Sequence, residues 1–272
     1  MIGKLRPNLL HRYIFSRIGI RDDKVILGPA YGEDAAIIDL NDKVLVIHSD
    51  PITGAIENLG WLAVNVVCND VAVCGAKPRW LLSVYYFPEN CDKKLIDKIT
   101  EQVDKAAKEL EVMIVGGHSE FTLGLNRPLI TMTALGVVNK EKYVTTSGCK
   151  SGDLIIITKN VGIEGTSILA TDFREDLRMR GVDDEKIEKG KEFIKNISVV
   201  KEALILADIG VNAMHDPTEG GVLGGLAEMA YSSRKRIVVW EDKMPISEIT
   251  QLFCKALNLD PLRLISLSLI HI

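Results

Sequence analysis

The sequence predicts a mixed α/β (α+β) protein organised as two domains, and three observations carry that expectation. Short runs rich in β-branched and aromatic residues alternate with longer runs whose apolar residues recur every three or four positions. Gly, Pro or Asp bounds the short runs, as strand ends require. A polar, glycine-containing stretch, Thr145-Thr146-Ser147-Gly148-Cys149-Lys150-Ser151-Gly152-Asp153, precedes a fresh apolar run. This places one domain at residues 1–148 and a second at 149–272.

Taken in order, the strand expectations are 44–48, 80–87, 112–115, 129–138, 154–158 and 236–240. The clearest helix is 93–111, where Leu95, Ile99, Val103, Ala106 and Leu110 line one face and Lys and Glu cover the other. A helix at 62–74 is apolar almost all round, which predicts burial on every side. Further helices are expected at 199–208 and 222–231. The charged stretch 174–195 reads as a solvated helix or surface excursion of the second domain.

Composition excludes several classes. Lys and Arg number 33 against 37 Asp and Glu, for a net charge of −4, and the basic residues are scattered, so no nucleic-acid partner is expected. No apolar run approaches the length that crosses a bilayer, so no membrane association is expected. The N-terminus lacks a signal-peptide core. The five cysteines, without a CxxC pair, read as reduced thiols of a cytoplasmic protein.

The chemistry is carried by acids in apolar, glycine-marked surroundings: Asp34, Asp50, Asp70 and Asp216. A carboxylate taken out of water must be hydrogen-bonded, paired with a cation or neutralised. No Lys or Arg recurs beside these four. Hard oxygen ligands converging from separate segments suit Mg²⁺, and with it phosphoryl transfer. Asp34, Asp50 and Asp216 could each equally serve as a turn or cap residue. Asp70 is harder to explain that way, because it interrupts the apolar helix. Gly116-Gly117 after the third strand and Gly220-Gly221 before the last helix could aim backbone N–H groups at phosphate oxygens. No Walker A motif is present, so any nucleotide site is of another type. His48, His118 and His215 flank these segments, but without the ligand spacing of a zinc site.

In order, these segments resemble one superfamily, that of aminoimidazole ribonucleotide (AIR) synthetase (PurM), the hydrogenase maturation protein HypE, selenophosphate synthetase and thiamine-monophosphate kinase. The resemblance rests on Gly32-Glu33-Asp34-Ala35-Ala36, His48-Ser49-Asp50 and Asn65-x-x-x-Asn69-Asp70-x-x-x-x-Gly75-Ala76-x-Pro78. It continues through Gly116-Gly117-His118-Ser119-Glu120 and His215-Asp216-Pro217-Thr218-Glu219-Gly220-Gly221, covering about residues 25–265. With Val161-Gly162-Ile163-Glu164-Gly165-Thr166, the chain is most similar to HypE-like, AIR synthase-related proteins.

The resemblance implies a PurM-like two-domain architecture, with an ATP-binding N-terminal domain forming a dimeric barrel-like sheet and a C-terminal α/β domain that is incomplete here. It implies ATP and Mg²⁺ as cofactors and phosphorylation of an amide or carbonyl oxygen of a small substrate. By that analogy Asp34, Asp50, Asp70 and Asp216 hold the metal. Asn65, Asn69, Gly116, Gly117, His118, Gly220 and Gly221 line the nucleotide, and Asp70, Asp216 and His215 act in catalysis. A homodimer through the N-terminal domain is implied, and a maturation partner protein is a further expectation. HypE's terminal cysteine has no counterpart after Cys254, so a reaction on such a tail is not expected. Two alternatives remain open: a nucleotide-binding scaffold or maturation partner with reduced turnover, and a thiamine-monophosphate kinase-like enzyme.

Overall fold

The first half of the chain forms a six-stranded mixed sheet covered by two helices. The computed structural model describes residues 4–55 and 57–266, and the backbone of 270–271. A short helix α1 (Pro7–Leu9) runs into a π-helical turn (Leu10–Phe15). Strands β1 (Val25–Leu27), β2 (Ala36–Asp39) and β3 (Lys43–Ile52) follow, then helix α2 (Leu59–Val73). β4 (Lys77–Pro88), α3 (Lys93–Glu109), β5 (Met113–Thr122) and β6 (Leu129–Asn139) complete this half. The strand order is β1-β2-β3-β6-β4-β5, with only β4 and β5 parallel.

Burial explains these elements. Along β6, Ile130, Met132 and Ala134 alternate inward, and Leu81, Ser83, Tyr85 and Phe87 do so on β4. α2 lies between the sheet and α3 and is buried at nearly every position, as its composition predicts. It packs closely enough that a Cβ at Gly60 would strike the Ile99 carbonyl of α3.

The second half holds β7 (Ile156–Ile157), α4 (Ile163–Asp172), α5 (Arg174–Met179), α6 (Asp184–Lys191), α7 (Val200–Ile209) and β8 (Met214–His215). Helix α8 (Gly221–Ser233), helix α9 (Glu248–Leu257) and strand β9 (Ile270–His271) follow, with β9 pairing between β7 and β8. The charged excursion is indeed helical, yet it has its own core: Leu177 and Ile187 are fully buried with Phe253 of α9. The halves lock through α2. Asn69 donates to the Ile197 carbonyl (3.0 Å) and accepts from Val199 N–H (2.9 Å). Trp61 Nε1 donates to the Ile194 carbonyl (3.1 Å).

Three expectations need correction. The predicted strand 154–158 shrinks to Ile156–Ile157, and 236–240 forms no ladder. β-propensity is realised only through pairing, and 236–240 has no partner strand among the described residues. Third, Gly116-Gly117-His118 does not follow a strand but lies inside β5. Gly117 pairs with Ser83 beside a register shift in β4, and its φ is 146°. A Cβ there would collide with the Ser83 carbonyl, so this glycine serves close strand approach.

Gly117→Ala is therefore expected to lower unfolding stability by at least about 2 kcal/mol, from forced backbone strain and collision with β4. Urea denaturation of the variant beside Gly116→Ala, whose Cβ would meet only the Leu82 side chain at 3.4 Å, checks this.

Candidate active site

Four segments bring the acids together. Asp34 leaves the turn at Gly32 (φ 84°), which sits against α8 so tightly that a Cβ would lie 2.9 Å from the Glu228 carbonyl. Asp50 stands within β3, opposite Met132, rather than at a strand end. Asp70 projects from α2, and Asp216 follows β8 ahead of the Gly220-Gly221 turn that opens α8. Asp34 and Asp70 are each 6% exposed and Asp216 1%. One oxygen from each of these three lies within 4.8 Å of the others, and His48, Asp50 and Asp70 form a second such group.

The protein supplies little positive charge to this cluster. His215 is the main source: its Nδ1 is 2.6 Å from Asp34 Oδ1 and its Nε2 3.2 Å from Glu228 Oε2. Burial pulls His215 down, but Asp34 and Glu228 outweigh it and push its pKa up to about 10, so it is a buried imidazolium. Lys4 Nζ reaches Glu228 Oε1 at 3.2 Å, and the Lys4 backbone N–H donates to Glu219 (2.6 Å). Thr146 Oγ1 donates to Asp34 Oδ2 (2.9 Å).

Asp70 Oδ2 and both carboxylate oxygens of Asp216 are buried with no hydrogen-bond partner. Burial, reinforced for Asp70 by Asp216 and for Asp216 by Asp34, raises both carboxyls well above the usual range. Burial likewise pushes Asp50 up to about 6 and holds His48 down at about 4, so His48 is a neutral imidazole 3.6 Å from Asp70. Orphaned carboxylate oxygens pointing at one another suit a hard divalent cation such as Mg²⁺, and the donor set fits it.

The other expected site residues divide. Gly220 and Gly221 take left-handed conformations (φ 90° and 63°) beside the acids, and Gly221 packs against the Leu262 and Leu264 carbonyls. Asn65 is spent on its own helix, donating to the Trp61 carbonyl (2.9 Å), and Asn69 on the clamp between the halves. Gly116, Gly117 and His118 lie on the exposed edge strand, where His118 pairs with Glu120 at 3.1 Å, and the fold does not bring them to the acids. Sequence reasoning passed over Lys4, Glu33, Thr146, Glu164 and Glu228. Thr146 lies in the stretch read as a polar connection, but it is 1% exposed, and its N–H donates to Glu33 (3.1 Å).

Two family models match this chain: AIR synthase related protein, N-terminal domain, over residues 32–138, and the C-terminal domain of the same family over residues 150–268. The chain belongs to the AIR synthase-related family. Among its relatives is a protein of Methanocaldococcus jannaschii named for hydrogenase expression and formation. It is 33% identical over 265 residues, which are 96% of this chain and 76% of the relative. The carbamoyl dehydratase HypE of Cupriavidus necator is 30% identical over 207 residues, 75% of this chain and 56% of that one. The crystal structure of a hydrogenase maturation protein HypE in complex with ATP superposes with a TM-score of 0.67 at 25% identity, covering 88% of this chain and 70% of that one. Among the described residues no helix of this family member is long and apolar enough to cross a membrane.

If the acids are held for a cation, Asp70→Asn relieves repulsion in the metal-free protein. Its melting temperature without divalent ions is expected to match or exceed wild type, by about 1–3 kcal/mol in stability. The rise that MgCl₂ gives the wild type is expected to vanish. Paired melting curves with and without Mg²⁺ read both effects.

Proposed function

We propose that this chain is an ATP- and Mg²⁺-dependent enzyme that transfers the γ-phosphoryl group to an amide or carbonyl oxygen of a small substrate. The observation that carries this reading is the meeting of Asp34, Asp70 and Asp216 with buried oxygens left unpartnered. Those three would hold one Mg²⁺, and His48, Asp50 and Asp70 could hold another. Bound there, the metal neutralises charge on the phosphoryl oxygens. The chain's own residues do the rest. The Gly220-Gly221 turn presents the N-terminus of α8 to phosphate. His215 fixes the orientation of Asp34 between itself and Thr146. Membership of a family that includes an ATP complex and a carbamoyl dehydratase supports the nucleotide and the acceptor class.

The same reading extends to assembly as a homodimer through β5. Met113, Val115 and Phe121 are each at least half exposed on this edge strand, with Leu82 of β4 beside them. Asp50 pairs with Met132, Met132 with Ser83 and Ser83 with Gly117, so Gly117 stands three strands from Asp50, about 14 Å away at the usual strand spacing. A second copy bringing its β5 to the acids would give Gly116, Gly117 and His118 the role that one chain denies them.

Titration calorimetry with ATP is expected to show binding that requires Mg²⁺ and is lost in Asp70→Asn and Asp216→Asn. ATP turnover is expected to fall about 100-fold or more in either variant. Metal-independent binding would overturn the assignment of the acids. Tight binding with no turnover, across a panel of amide, carbonyl and selenide acceptors, would favour the scaffold. For assembly, Val115→Asp with Phe121→Asp is expected to halve the mass seen by light scattering and to lower turnover with it.

A further inference from the structure

Glu164 is a buried acid with no structural task. It sits in the first turn of α4, 4% exposed, with Oε2 unpartnered. Helix capping does not occupy it, because other groups already satisfy the start of α4. Gly162 N–H donates to Ser266 Oγ (2.9 Å), Gly165 N–H to the Ile265 carbonyl (2.9 Å) and Glu164 N–H to the Ser266 carbonyl (3.4 Å). Among the described residues no Lys or Arg forms an ion pair with it. The charges that act on it are those of Asp50 and Glu219, both acids, which together with burial push its carboxyl up to about 8. One turn along the same helix face, Ser167 Oγ is also buried and unpartnered.

Packing places this pair at the wall of the acidic site. Ile163 shares an apolar cluster with Ala55, Leu62 and Val66. Ala55 follows the end of β3 a few residues after Asp50, and Val66 precedes Asp70 by one turn of α2. On the other side, the 262–265 segment that meets Gly165 also packs against Gly221. The start of α4, which carries Glu164, therefore stands where the residues after β3, α2 and the turn into α8 converge.

The occupant of this corner is set by charge. A phosphate finds no Lys or Arg paired with Glu164 among the described residues, only the acids Asp50 and Glu219 acting on it. Glu164 belongs to neither group of side chains close enough to share a metal ion among the described residues. What remains is a hydrogen-bond donor carried by the second substrate. We propose that Glu164 and Ser167 form the acceptor-substrate subsite, with the Glu164 carboxyl receiving the N–H of a primary amide and Ser167 Oγ completing the contact. This assignment rests on the reading that the site phosphorylates an amide-type oxygen, and it adds which end of that substrate the chain recognises.

The test uses the full chain and simple probes: formamide, acetamide and propionamide, with N,N-dimethylacetamide as the analogue lacking N–H. ADP release by wild type is expected to be stimulated by primary amides and not by the dimethyl compound. In Glu164→Leu the KM for acetamide is expected to rise about tenfold or more, the discrimination to collapse, and the dissociation constant for MgATP to stay within about twofold. Glu164→Gln, which keeps an acceptor oxygen, is expected to retain part of the discrimination. Since no partner is lost, Glu164→Leu is expected to melt at or above wild type. A lower melting temperature would reveal a structural role, and loss of MgATP binding would place Glu164 in the nucleotide site; either overturns the assignment. Amide stimulation unaffected by Glu164→Leu sinks the subsite and leaves the proposed function standing. MgATP binding with no stimulation by any primary amide sinks the amide acceptor class, and the subsite with it.

Discussion

The structure depends on holding like charges together out of water. Asp34 and Asp70 come from the first half of the chain and Asp216 from the second, so folding itself drives three carboxyls into one buried place. Desolvating a carboxylate costs several kcal/mol even after relaxation, and each neighbour of the same sign adds to that. The protein returns one buried imidazolium, His215, and it is shared between Asp34 and Glu228 rather than given to Asp70 or Asp216. The compensation is therefore lopsided. Asp34 has both His215 and Thr146, whereas Asp70 Oδ2, with only a neutral His48 at 3.6 Å, and both Asp216 oxygens have no hydrogen-bond partner. That asymmetry orders the site: Asp34 is held in place by protein, and the other two present buried oxygens that the protein leaves without a hydrogen bond.

Such repulsion is tolerable only on a stiff frame, and the packing around α2 provides one. Asp70 rides a helix buried at almost every position, and Asn69, the residue before it, ties that helix to the second half through both ends of its amide. Gly32 and Gly221 let backbone approach backbone where any side chain would intrude. These contacts fix the spacing between carboxyls carried by different halves, which no contact among the carboxyls themselves could do. Asn69 is thus as necessary to the site as a ligand would be, without touching one.

How far the sequence revealed this depends on whether a residue contradicted its surroundings. Asp70 in an apolar helix, and Asp216 before a glycine pair, are anomalies that burial makes costly, and both lie in the cluster. Asn69 stood beside the same anomaly and was read with it, but a buried amide can be satisfied by backbone alone, and here it is. Gly116-Gly117 reads locally as a turn after a strand; its pairing with Leu82 and Ser83 places it inside β5 instead, and that is a long-range fact. The same applies to 236–240, a strand-like run without a ladder. Nothing in the local sequence marks Glu228 within its helix or Lys4 near the N-terminus, and Thr146 reads as part of a polar connection. Their importance comes from partners more than a hundred residues away, or in the case of Glu228 from a helix face known only once packed.

The distribution of unsatisfied groups also distinguishes the two proposed ligand places. Around Asp34, Asp70 and Asp216 the unmet demand is for positive charge, which a metal-bound nucleotide brings. Around Glu164 and Ser167 it is for a hydrogen-bond partner, with no Lys or Arg paired there among the described residues to hold a phosphate. A nucleotide entering with its metal has no reason to settle against Glu164, and a neutral amide cannot neutralise the aspartates. On the proposed reading, two ligands of different chemistry are therefore steered to adjoining places by the same set of acids.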